Sequence, residues 1–133
     1  MKKYLALPVL IALSGCAPST VLELQNDSVQ LDFSVAESYQ QVFKDVRTEL
    51  NRCMFGGALM AKTNIDAQLY PDLGEGEISV RYNNMGDRSV FLHVEIKEDG
   101  SATDVTTYSS TFGKWDAAGE RVRRYAQNDV PMC

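Results

Sequence analysis

Val90, Leu92, Val94 and Ile96 alternate with Phe91, His93, Glu95 and Lys97, and the run ends at Asp99-Gly100. A period of two sends successive side chains to opposite faces of a sheet. Asp-Gly suits the centre of a type I′ turn, where both residues take φ > 0. Thr103, Val105 and Thr107 then continue with β-branched side chains, which favour a strand. This stretch predicts an antiparallel hairpin with one apolar face. Such a sheet needs a cover, so amphipathic helices must lie elsewhere in the chain.

Two segments supply them. Ser34-Val35-Ala36-Glu37 has the spacing of a capping box, in which hydroxyl and carboxylate each take a backbone amide of the other residue. Tyr39, Val42, Phe43, Val46, Leu50 and Cys53 follow at helical spacing, and Gly56-Gly57 stops the segment. A second helix is predicted from Thr111 or Phe112, with Trp115, Ala118, Gly119, Val122, Tyr125 and Ala126 on one face. Arg121, Arg123 and Arg124 fall in its C-terminal half, where cations suit the helix dipole and form a solvated face. Asn128 and Pro131 close it.

Three more alternating stretches read as strands. They are Val29-Leu31-Phe33, a run between Leu59 and Tyr70 with Ile65, Ala67 and Leu69 on one parity, and Ile78-Val80-Tyr82. Pro71, Gly74 and Gly76 separate the last two, and residues 83–88 form a loop. The order β-α-β-β-β-α predicts an α+β domain: an antiparallel sheet with two helices packed on one face.

The start of the chain is of a different kind. Lys2 and Lys3 precede ten uncharged residues, 4–13. A membrane-spanning helix needs roughly 20 apolar residues, so this run fits a signal-peptide core. It ends in Leu13-Ser14-Gly15-Cys16, which resembles the lipobox of bacterial lipoproteins. That resemblance implies a signal peptide over residues 1–15, and a Cys16 that carries diacylglycerol on its thiol and an acyl chain on its freed amine. Two or more chains hold a protein firmly to a bilayer. Ala17, rather than Asp, implies by the same resemblance an address at the outer membrane. Residues 16–28 read as a lipidated N-terminus and polar tether, able to extend ~40 Å at ~3.4 Å per residue. Residues 29–133 read as one globular domain.

Removing residues 1–15 from the 133-residue chain leaves 118 residues, one domain's length. The removed part holds two lysines and no acid, so the net charge moves from −5 to −7. Acidity without a basic tract argues against nucleic acid as a partner. After Cys16 only Cys53 and Cys133 remain. In an exported chain they point to one disulfide, the other reading being two free thiols. No zinc-site spacing, phosphate loop or nucleophile elbow is present, and no cofactor is implied. His93, the single histidine, reads as an exposed strand residue.

One constellation stands out. With Asp99-Gly100 as the turn, Glu95 faces Asp104, His93 faces Thr106, and Phe91 faces Tyr108. Across the preceding loop Glu77 faces Glu95. Glu77, Glu95 and Asp104 would then line up on the open face, where directly opposed like charges are unfavourable. Three readings remain: a cation offsets them, a basic partner does, or water does.

From residue 34 to 133 the layout is similar to small proteobacterial envelope lipoproteins. More distantly, it resembles the helix-grip domains of outer-membrane assembly lipoproteins. Neither resemblance implies catalysis. The expected role is a membrane-anchored structural or protein-interaction module with an envelope protein partner. The alternative is a periplasmic binding module for a small ligand or divalent cation.

Overall fold

The computed structural model of the chain describes residues 17–54, 61–130 and 133. Its elements are α1 (Val21–Asn26), β1 (Ser28–Val35), α2 (Tyr39–Met54), β2 (Ala61–Tyr70), β3 (Glu75–Asn84), β4 (Asp87–Asp99), β5 (Ala102–Ser110) and α3 (Ala118–Ala126). A 3₁₀ turn over Gly113–Ala117 leads into α3. The five strands form one antiparallel sheet in the order β1-β5-β4-β3-β2. The α+β class expected from the sequence is the one observed. Residues 1–16, with the expected signal peptide and lipidation site, and Gly56-Gly57, Leu59 and Pro131 lie outside the described residues.

The apolar faces assigned to the two long helices meet in one core. Tyr39, Val42, Phe43, Val46 and Leu50 of α2 pack with Ala118, Val122, Tyr125 and Ala126 of α3. Beneath them lie Ile78, Val80, Leu92, Val94, Ile96 and Val105 of the sheet. Gly119 lets α3 come close: a Cβ there would stand 2.5 Å from Thr107 Oγ1. The Gly119 N–H donates to Ser109 Oγ at 3.0 Å. Asn128 ends the helix in the left-handed region, at φ 57°. The N–H groups of Asn128 and Asp129 turn back to the carbonyls of Tyr125 and Arg124, as in a Schellman cap. A disulfide joins Cys53, at the end of α2, to Cys133, with Cα atoms 5.1 Å apart.

Several local expectations are corrected. The first capping box is not used: Ser34 stays in β1, whose ladder with β5 runs on to the Val35–Thr103 pair. Its hydroxyl donates to the Asp104 carboxylate instead. Ser38 caps α2, its Oγ accepting the Gln41 N–H at 3.3 Å. The ladder satisfies the backbone of residues 34 and 35, so the helix starts four residues later.

The β4–β5 turn is also displaced. Asp99 pairs with Ala102, leaving Gly100-Ser101 as the central residues. Gly100 has φ +62°. A single glycine at the first central position is what a type II′ turn asks for. The register moves by two, so every side chain keeps its face but changes its neighbour. Glu95 faces Thr106, His93 faces Tyr108, and Asp104 faces Lys97.

The β3–β4 loop tightens to Met85-Gly86, both at positive φ. A bulge near Val80 and Arg81 absorbs the extra residue. Glu77 therefore faces Glu95 as expected, but Arg81 faces Val90. Phe91 turns to the helix-covered side, stacked on Trp115 at 5.1 Å between ring centres.

The largest correction concerns residues 17–28. They do not form an extended tether. The Pro18 carbonyl accepts the Val90 N–H at 2.8 Å, where β4 runs past the end of β5. Thr20 and Glu23 then make a full capping box that starts α1. Leu24 is wholly buried yet lies apart from the main core. Gln25 Nε2 donates to Glu95 Oε1 at 2.9 Å, which places α1 on the sheet face opposite α2 and α3. The expected open face is thus partly roofed.

Candidate functional site

The alternation that buries Ile78, Val80 and Val94 under the helices sends Glu77, Ser79, Arg81, His93 and Glu95 to the other face. Asp66, Gln68 and Tyr70 of β2 lie beside them. Val21 and Gln25 of α1 complete the wall of a groove of about 400 Å³. Among the described residues, the short helix α1 alone covers this face, and the groove's lining stays polar.

His93 lies at the groove's base and is only 3% exposed. Its Nδ1 is 2.8 Å from Ser79 Oγ, directly across the β3–β4 ladder. Its Nε2 is 3.6 Å from Glu95 Oε1, too long for a hydrogen bond but close enough for attraction. A proton on Nε2 faces that carboxylate favourably. Nδ1 then accepts from the Ser79 hydroxyl, a tautomer assigned from electrostatics. The Tyr108 ring lies over the imidazole, 6.2 Å between centres. Burial lowers the His93 pKa from its ordinary 6.5, although Glu95 and Glu77 pull the other way. Burial also raises the Tyr108 pKa, with Glu95 and Asp32 adding to the effect.

Ser79, His93 and Glu95 have the residue types of a nucleophilic triad, but not its surroundings. Ser79 sits inside a central strand, paired with Asp66 on one side and His93 on the other. Backbone amides there are committed to the ladder, whereas an oxyanion needs donors aimed at it. The arrangement holds a neutral, buried imidazole rather than an activated hydroxyl.

The predicted acidic row is only half formed. Glu77 and Glu95 do oppose each other. Asp104 faces Lys97 and takes the Ser34 hydroxyl, as the two-residue register change dictates. Asp66 is engaged by Arg81 at 3.7 Å. Among the described residues, no group of three His, Cys, Asp or Glu side chains is arranged to hold a metal ion. The site that sequence reasoning missed is centred on His93. α1 walls the groove above it, and the signal for α1 was the Thr20-Val21-Leu22-Glu23 capping spacing inside a segment read as a tether.

The lowered His93 pKa sets a pH dependence. The unfolded chain takes up a proton near pH 6.5, before the folded protein does. Stability from this group is therefore complete above about pH 6.5 and is lost as pH falls toward the folded pKa. His93→Gln should flatten the slope of unfolding free energy against pH in that window, measured by urea titration. An unchanged slope would show that other groups set it.

No protein-family model matches the chain, and no curated protein is significantly similar to it.

Proposed function

We propose that the protein is a lipid-anchored component of the bacterial cell envelope, held at the outer membrane through Cys16, with a domain that recognises a partner protein. The observation that carries the envelope reading is the Cys53–Cys133 disulfide. Such bonds persist in oxidising compartments, beyond the plasma membrane in bacteria. A lipobox-like Leu13-Ser14-Gly15-Cys16 in the same chain fits that route.

The groove supports recognition rather than turnover. It offers hydrogen-bonding groups at fixed strand positions, Gln68, Glu77 and Arg81, with Gln25 of α1 facing them. Its outer wall is β2, an edge of the sheet. An edge strand also presents unpaired backbone groups to an incoming chain. The second reading is a small polar ligand in the groove, favoured by a volume within the usual 300–1,000 Å³ range of ligand sites.

A photoreactive side chain at Gln68, in cells carrying native or Cys16→Ala protein, tests the proposal. The native protein should bear acyl chains on Cys16 by mass spectrometry and fractionate with outer membrane. Cys16→Ala should accumulate as uncleaved precursor. Illumination of the native protein should give one dominant crosslinked protein. An unacylated native protein overturns the anchor. Scattered crosslinks with no dominant species overturn the partner reading, and a co-purified small molecule would favour the second one.

A further inference from the structure

Pro18 lies two residues after Cys16, and its carbonyl is fixed to the Val90 N–H at 2.8 Å. Two residues of chain span ~7 Å at most. A lipid on Cys16 would therefore leave the domain directly beside the sheet end where β4 begins, without an intervening stalk.

The same end carries two large exposed apolar side chains. Met85, in the β3–β4 turn, is 75% exposed, and Phe112, just after β5, is 66% exposed. Phe112 shares one surface depression with Ala17, Pro18, Asp87 and Arg88. Asp87 is two residues from Met85, so anchor, turn and strand exit converge there. Leu73 is similarly exposed, at 68%, but sits in the β2–β3 turn at the other end of the sheet. A ten-residue strand such as β3 separates the two ends by roughly 33 Å.

We infer that the sheet end bearing Met85 and Phe112 is a membrane-contacting surface, seated on phospholipid with both side chains entering the interface. The inference rests on the lipid anchor proposed above, and adds the face that meets the bilayer. Exposed apolar surface gains free energy on leaving water. An anchor within ~7 Å of Pro18 also keeps this end of the sheet at the bilayer, where weak insertion suffices. Charge is not the driving force. Glu23, Asp27 and Asp87 line the depression together with a single basic residue, Arg88. A zwitterionic phospholipid, with an ammonium for the carboxylates and a phosphate for Arg88, is the matching headgroup chemistry.

The experiment uses the full lipidated protein in vesicles of phosphatidylethanolamine and phosphatidylcholine containing brominated acyl chains. Trp115 is the chain's single tryptophan. In a Trp115→Phe background, Met85→Trp, Phe112→Trp and Leu73→Trp each place one reporter. If Trp115→Phe unfolds the domain, Trp115 is retained and its own quenching subtracted. Quenching should be several-fold greater for Met85→Trp and Phe112→Trp than for Leu73→Trp. Equal quenching, or more at Leu73→Trp, with acyl chains present on Cys16, overturns the inference and leaves the anchor standing. Absence of acyl chains from Cys16 overturns both.

Discussion

Cys133→Ser is expected to lower the unfolding free energy by about 4.5 kcal/mol, the chain-entropy value for a closed loop of roughly 80 residues. For a domain of this size that corresponds to a fall in Tm of roughly 15 °C. The bridge spans a sequence separation of 80 residues and closes across Cα atoms 5.1 Å apart. It ties the end of α2 to the chain beyond α3, so β2 to β5 all lie within the loop. The bond also holds Cys133 in a shallow pocket with Trp115 and Arg121. Without it, the segment after Asn128 is free to fray. Thermal unfolding of both proteins, with and without reductant, checks the value. Reductant should bring the native protein down to the variant and leave the variant unchanged. A difference below about 1 kcal/mol would mean that the reduced chain is already constrained in its unfolded state.

The second large effect is expected from Leu24→Ala. Removing a wholly buried leucine costs about 2–5 kcal/mol. Here the loss is local before it is global. Six residues do not hold a helix in water unaided, and α1 has few other fastenings. Its side chains reach the sheet through Leu24 and the Gln25–Glu95 hydrogen bond. In Leu24→Ala the amides of α1 should lose protection in hydrogen exchange, while those of α2 and β3 keep most of theirs. His93, losing part of its roof, should titrate closer to its ordinary 6.5, read by NMR. Protected α1 amides together with an unmoved His93 titration would show that α1 is held by something other than Leu24.

Much of the fold was legible because its signals repeat. α2 shows its apolar face over four turns, and β4 alternates over eight residues, so no single misread position changes the assignment. The Glu77–Glu95 pairing came out as expected for a different reason: the loop is shorter than the sequence suggested, and a one-residue bulge near Val80 and Arg81 restores the register. The failures came where one residue decides. Gly100 at the first central position, rather than Asp99, selects the β4–β5 turn and moves Asp104 from Glu95 to Lys97. Ser34 and Ser38 both carry a hydroxyl suited to capping, and only the extent of the β1–β5 ladder chooses between them. α1 rests on one capping box and one leucine in a polar stretch, too little periodicity to register. The groove over His93 has α1 as one wall, so it was hidden with it.

The place of β1 in the sheet bears on when the domain can form. β1 comes first among the strands, yet its neighbour is β5, the last. Asp32 and Thr106 bond across a separation of 74 residues. Closing so long a span must precede its reward, which slows folding. A chain threaded through a translocation pore from its N-terminus would deliver β1 long before β5. Until β5 arrives, β1 lacks its ladder, and Cys53 lacks its partner until Cys133 follows. For a chain so threaded, this topology would postpone completion of the domain to the far side of the membrane, and the delay would keep it fit for threading.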